Sequence, residues 1–190
     1  YKKRYMWVIV NLSSKVCYYL YGDRKRETIQ KFLGSFQGTL MTDAYEAYAY
    51  FNNLKDCSHV CCWAHVRRIF YSALNDYKDK LSEEYVNLIS ALYKVELENI
   101  FFHRTEQEVV KFRKLESIPI LSQLFQKARE LLNLSDSHQV SISRKLHQAL
   151  TYMLNHWTEL NGYVDIGNVL FETFIETCIL MKRASLDFFK

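Results

Sequence analysis

Apolar positions along the chain switch between continuous runs and helical spacing, and each switch marks an element. Tyr5 to Val10 (YMWVIV) and Val16 to Tyr21 (VCYYLY) are unbroken runs rich in β-branched and aromatic residues, separated by Asn11-Leu12-Ser13-Ser14-Lys15. They predict a strand, a turn and a returning antiparallel strand. From Arg24 the spacing turns helical: Ile29, Phe32, Leu33 and Phe36 form one stripe, and Arg24, Lys25, Arg26, Gln30 and Lys31 a polar face. Gly38 then opens a short apolar strand that ends in Asp43. Ala44 to Phe51 reads as a short helix with Tyr45 and Tyr48 on one face, broken at Asn52-Asn53. His59 to Cys62 is a further strand, and Trp63 to Leu74 a helix with Trp63, Val66, Phe70 and Leu74 about one turn apart. This order predicts a mixed α/β sheet.

Beyond Asn75 the periodicity is helical throughout. Leu81 to Phe102 carries Leu81, Tyr85, Leu88, Leu92, Val95 and Ile100 on one face, with Ser82-Glu83-Glu84-Tyr85 resembling a capping box at its start. Thr105 to Leu115 is a charged helix, Ile120 to Leu132 another, and Ser141 to Leu160 a long one bearing Ile142, Leu146, Leu150, Met153, Leu154 and Trp157. Leu134 to Val140 is the candidate linker, Val164 to Gly167 a loop, and Val169 to Met181 a final helix. One Pro and five Gly in 190 residues leave few tight turns, which favours long helices over many short strands.

Composition adds bounds. With 49% hydrophobic and 24% charged residues the chain is globular, and its length suits one domain with a sizeable insertion. Its net charge of +4 is compatible with a polyanionic partner without pointing to one. Five cysteines without a repeated CxxC spacing argue for reduced thiols and a cytoplasmic location. The absence of a long apolar run predicts no membrane span. Tyr1-Lys2-Lys3-Arg4 is followed by no apolar leader, so no secretory signal is expected, and without an initiator Met the chain is expected to be a piece of something longer.

The candidate chemistry gathers between Gly38 and Arg68. A carboxylate at the carboxyl end of a strand, here Asp43, lies where open α/β sheets place their ligands, although a lone Asp there can also simply cap the next helix. Cys62 and His65 make a CxxH pair, two ligands where structural zinc needs four, with Cys57, His59 and Cys61 close by in sequence. Arg67 and Arg68 have a residue type suited to DNA phosphates, or to an ordinary solvated helix face. Tyr45, Tyr48 and Tyr50 read as packing residues, and His156 as structural.

Several blocks together resemble the transposases of the insertion sequence 66 family, DDE enzymes of bacterial mobile elements. YMWVIV resembles the family's "GYMWV" strand, and Lys31 to Gly38 its "FLGxFxG" segment. Thr42-Asp43-Ala44-Tyr45-Glu46-Ala47-Tyr48 looks like its "TDGYxxY", and Cys62 to Phe70 like its "CWAHxRRxF". Tyr93-Lys94-Val95-Glu96 and Leu150 to Trp157 fit its helical insertion. The resemblance implies an RNase H-like mixed sheet, here lacking its first strand, with a large all-helical insertion: residues 1–80 as core, 81–160 as insertion, 161–190 returning to the core. It further implies three carboxylates, Mg²⁺ or Mn²⁺ as cofactor, DNA (element ends and target) as partner, and a homo-oligomeric active complex. Asp43 would be the second acid, and the first would precede Tyr1. For the third, two registers stay open. One makes Glu172 the ligand, with Lys182-Arg183 standing for the family's basic segment; the other reads Leu170 to Cys178 as the later "IYSFIETCK" helix, fits residue by residue better, and loses the catalytic Glu. His65, Arg67, Arg68, Lys182 and Arg183 become the expected DNA contacts. As it stands, the chain is expected to bind DNA at best and not to cut it. A non-catalytic module derived from such a core, retaining only DNA binding or self-association, is the rival expectation, and an unrelated α/β nuclease a third.

Overall fold

A computed structural model describes residues 4–11, 14–34, 36–169 and 171. The fold is mixed α/β, mostly helical, with small sheets. Its described residues divide into two compact units: the first runs to Leu40 and resumes over Ala44–Ser58, and the second holds Met41–Asp43 and the chain from His59 onward.

In the first unit β1 (Tyr5–Asn11) and β2 (Val16–Gly22) pair antiparallel, with Trp7 opposite Leu20 and Ile9 opposite Tyr18. Alternation along a strand puts Trp7, Ile9 and Leu20 on one face, and that face meets Ile29, Ala47 and Phe51 in a shared core. The other face carries Met6, Val8, Val10, Tyr19 and Tyr21, of which Met6, Tyr19 and Tyr21 are exposed. Helix α1 (Arg26–Leu33) supplies Ile29, the fully buried member of its stripe. Asp23 organises its start, accepting the Thr28 hydroxyl and the Lys25 amide. The Trp7 indole donates to Asp23 O at 2.9 Å, tying strand to helix entry. The aromatic stretch after Asp43 is a 3₁₀ helix, Glu46–Asn53, that brings Ala47 and Phe51 inward. Tyr45 and Tyr48 pack on Trp7, so both are core residues, as their spacing suggests.

Strands β3 (Gly38–Thr42) and β4 (Cys57–Cys61) form the second pair. The Gly38 amide bonds Asp56 O and the Cys62 amide bonds Thr42 O, both at 2.9 Å. Partner numbers rise together along the two strands, from Gly38 with Asp56 to Thr42 with Cys62, which makes the pair parallel. The expected single mixed sheet is therefore two separate two-stranded sheets, because among the described residues no strand hydrogen-bonds to both pairs.

The second unit is built of α2 (Trp63–Asn75), α3 (Ser82–Phe101), α4 (Glu106–Phe112), α5 (Ile118–Asp136), α6 (Arg144–Asn155) and α7 (Trp157–Asn161), followed by a 3₁₀ turn, Gly162–Asp165. Its core comprises Trp63, Phe70, Ile89, Leu92, Leu124, Leu146, Leu150 and Met153, all fully buried. Three expectations need correction. Ser82 does not cap α3: the cap position is Leu81, and the Ser82 side chain is buried. The capping box lies instead at Thr105 and Glu108, where side chain and backbone bond reciprocally. The charged helix and its successor are one run, joined through a π turn at Arg113–Ser117. That widening directly precedes α5, whose first turn holds Pro119; a proline ring clashes with the carbonyl four residues back in a regular helix. The long last helix divides at His156, which ends α6 and caps α7. The expected final helix from Val169 lies outside the described residues except for Val169 and Phe171.

Candidate active site

Because β3 and β4 run in the same direction, the residues that follow them emerge at one edge. Asp43 leaves β3 there with an exposed side chain, and Cys62 leaves β4 as the cap of α2. The Tyr152 hydroxyl, from α6, donates to Asp43 O at 2.7 Å and pins the backbone of the turn. The next residue, Ala44, has φ 61, a left-handed conformation that favours glycine. The "TDGYxxY" segment that this stretch resembles carries glycine at the same position. Ala44 thus strains the backbone beside the acid.

Two histidines flank the strand ends. His65, in the first turn of α2, lies in electrostatic reach of Asp43, which favours its charged form, and of Arg68, which disfavours it; burial is the larger effect and holds the imidazole below its ordinary 6.5. His59 on β4 bonds Thr42 Oγ1 through Nε2 at 2.8 Å. Burial depresses it too, opposed by Glu159 and reinforced by His156. Cys61 is buried, its thiol pushed up to about 12 chiefly by burial and then by Glu159. A thiol so raised is inert as a nucleophile.

The two arginines part company, because adjacent helix residues point about 100° apart. Arg68 is exposed and shares the His65 side of α2. Arg67 lies over the rings of Tyr71 and Tyr93, at 5.7 and 5.8 Å. His156 packs against Tyr152 at 4.9 Å, an arrangement that fits a structural role. Glu172, Lys182 and Arg183 lie outside the described residues.

A two-metal phosphoryl-transfer site needs several hard oxygen ligands. Among the described residues no three His, Cys, Asp or Glu side chains stand together where they could hold a metal ion, so Asp43 alone does not complete such a site, and Cys62 with His65 does not make one for zinc.

Two features of the site escaped sequence reasoning. Arg113 is 2% exposed and buried against Glu96 and the carbonyls of Tyr163, Ile166 and Val169. In the sequence it is one cation in a charged helix, with no local signal. Phe171 stacks on Trp63, centroids 6.1 Å apart and planes at 12°, and meets Tyr93 and Tyr163 edgewise at 4.9 Å each. Trp63 in turn donates its indole N–H to Leu160 O at 2.9 Å. The signal for Phe171 was its aromatic character next to Glu172.

The turn at Asp43 and the helix that opens with Trp-Ala-His-Val-Arg-Arg hold the sequence blocks by which the chain resembles a transposase of a mobile element. The family model described as "Transposase IS66 family" matches residues 1–174, and the chain belongs to that family. It is also similar to the "Uncharacterized protein y4jD" of Sinorhizobium fredii (strain NBRC 101917 / NGR234), at 30% identity over 152 residues, 77% of this chain. The chain spans 28% of the length of that relative. No solved structure matches.

Proposed function

We propose that this chain is part of the RNase H-like catalytic domain of a DNA transposase, and that the whole protein cuts and joins element ends with Asp43 as one of its metal-binding acids. The observation that carries the reading is Asp43 at the carboxyl edge of the β3–β4 pair, within electrostatic reach of His65 at the head of α2. An antiparallel pair, a helix and then a parallel pair follow the strand order of that fold from its second strand onward. In this reading Arg68 meets a DNA phosphate. Divalent Mg²⁺ or Mn²⁺ would be shared with a first acid upstream and with Glu172.

The test uses the full-length protein and a terminal-repeat oligonucleotide with Mg²⁺ or Mn²⁺. Cleavage by the wild type that disappears in Asp43→Asn, with DNA affinity retained, is the expected result. Equal cleavage by both proteins would remove Asp43 from the chemistry. A second reading, a core that binds DNA or itself without cutting, is favoured by the lack, among the described residues, of three His, Cys, Asp or Glu side chains placed to hold a metal ion together. It predicts retained DNA affinity with no cleavage under either metal.

A further inference from the structure

The helical region contributes one side chain whose whole hydrogen-bonding capacity is spent on a loop and one partner. A guanidinium has five N–H donors in a fixed fork. Arg113 gives Nε–H to Glu96 Oε1 at 2.8 Å and Nη2–H to Glu96 Oε2 at 2.5 Å, a bidentate ion pair. The remaining donors go to three carbonyls: Nη1 to Tyr163 O at 2.9 Å and Ile166 O at 2.7 Å, and Nη2 to Val169 O at 2.8 Å. These carbonyls recur every third residue as the chain leaves its last helical turn. Groups there lose their intrahelical partners and need others.

Burying an ion pair for stability alone is a poor solution, because well-packed apolar residues serve as well or better. An apolar pair cannot fix the direction of three carbonyls; a rigid fork can. The loop is also pressed from its other side: a Cβ on Gly167 would come within 2.2 Å of Glu106 O, at the start of α4. Held between Arg113 and α4, the loop delivers Phe171 to its seat among Trp63, Tyr93 and Tyr163. Trp63 opens the helix that carries His65 and Arg68, and the residue after Phe171 is Glu172.

We propose that Arg113, held by Glu96, is a positioning residue of the transposase: it fixes the Tyr163–Val169 loop and so the seat of Phe171 on Trp63, at the head of the helix that carries His65 and Arg68. The pair lies in α3 and the π turn, far along the sequence from every candidate acid, and it gives the helical region a part in building the site. The inference rests on the catalytic reading above for its consequence, but not for its geometry.

The experiment compares the full-length wild type with Arg113→Lys and with the double variant Arg113→Met/Glu96→Met, which removes both charges and leaves neither orphaned. Amide hydrogen exchange, thermal unfolding, DNA affinity and single-turnover cleavage with Mn²⁺ are read on each. In the double variant, protection of the 163–171 amides falls by about tenfold or more while that of α2 and α5 persists. Cleavage slows by about 100-fold at unchanged DNA affinity, the signature of a misplaced group rather than a lost binding surface. Arg113→Lys keeps the charge but not the fork, and shows the same pattern in weaker form. It carries the comparison if the double variant does not fold. Unchanged loop protection overturns the proposal, and so does lost protection with cleavage at the wild-type rate. Absence of cleavage by the wild type tells against the catalytic reading instead, and the exchange measurement then decides the positioning claim by itself.

Discussion

At Ala44 the backbone takes a conformation that costs an L-residue about 1–2 kcal/mol. Ala44→Gly relieves that strain, partly offset by the greater freedom of glycine in the unfolded chain, so a net gain of up to about 1 kcal/mol is expected in thermal unfolding. A decrease in stability would show that the turn holds Ala44 without strain. The two histidines give a pH dependence whose sign follows from burial. His59 and His65 both have folded-state values below 6.5, so the unfolded chain binds more protons and stability drops as pH falls through and below that value. His59 faces Glu159 and His156, and His65 faces Asp43 and Arg68, so the two respond to separate charges. Melting temperatures between pH 7 and pH 5 should decline, and His59→Gln should flatten the decline in part. A melting temperature independent of pH would contradict the burial of both rings. At this scale Asp43 was legible because an acid ending an apolar run is a local pattern. Arg113 was not: its partners lie at Glu96 and beyond Gly162, and nothing within one turn of it marks a buried cation.

Elements were legible where one face alone is buried. The stripe of α2 follows the sequence period, with Trp63, Val66 and Phe70 buried as it requires, whereas in α1 only Ile29 is buried and Phe32 of the expected stripe is exposed. Period fails at junctions. It reads straight through His156, because the α6 stripe and Trp157 share a spacing that two short helices also satisfy. It likewise breaks the Glu106–Asp136 run where the structure only widens it. Glycine spacing is equally mute about packing. Gly167 looks like an ordinary loop residue, yet its Cα faces the α4 backbone with no room for a methyl group. Gly167→Ala should therefore cost about 1–3 kcal/mol or more in denaturant unfolding, since the obstructing atom is a backbone carbonyl that cannot swing away. A loss of only a few tenths would mean that the loop stands off from α4.

For the molecule as a whole, a net charge of +4 is too small to identify a polyanion site; the position of each cation decides. Arg68, exposed on the His65 side of α2, should contribute one phosphate contact, so Arg68→Ala should lower the slope of log K against log salt by about 0.9. Arg67→Ala should change it less, because that guanidinium lies over Tyr71 and Tyr93. Equal slopes for both variants would place neither at DNA. Among the described residues no helix is long and apolar enough to cross a membrane, which agrees with the absence of a long apolar run.

Sequence by itself determined the strands and helical stripes, the family, and the acid at the end of β3. These are encoded in neighbours one turn or one strand-step apart, or in blocks of adjacent residues. Tertiary structure alone decided that the strands form two pairs instead of one sheet, that Arg68 and Arg67 face different surroundings, and that Arg113 binds the loop before Glu172. Each of those depends on which distant segment meets a given face, and a periodic pattern says only that a face is covered, not by what.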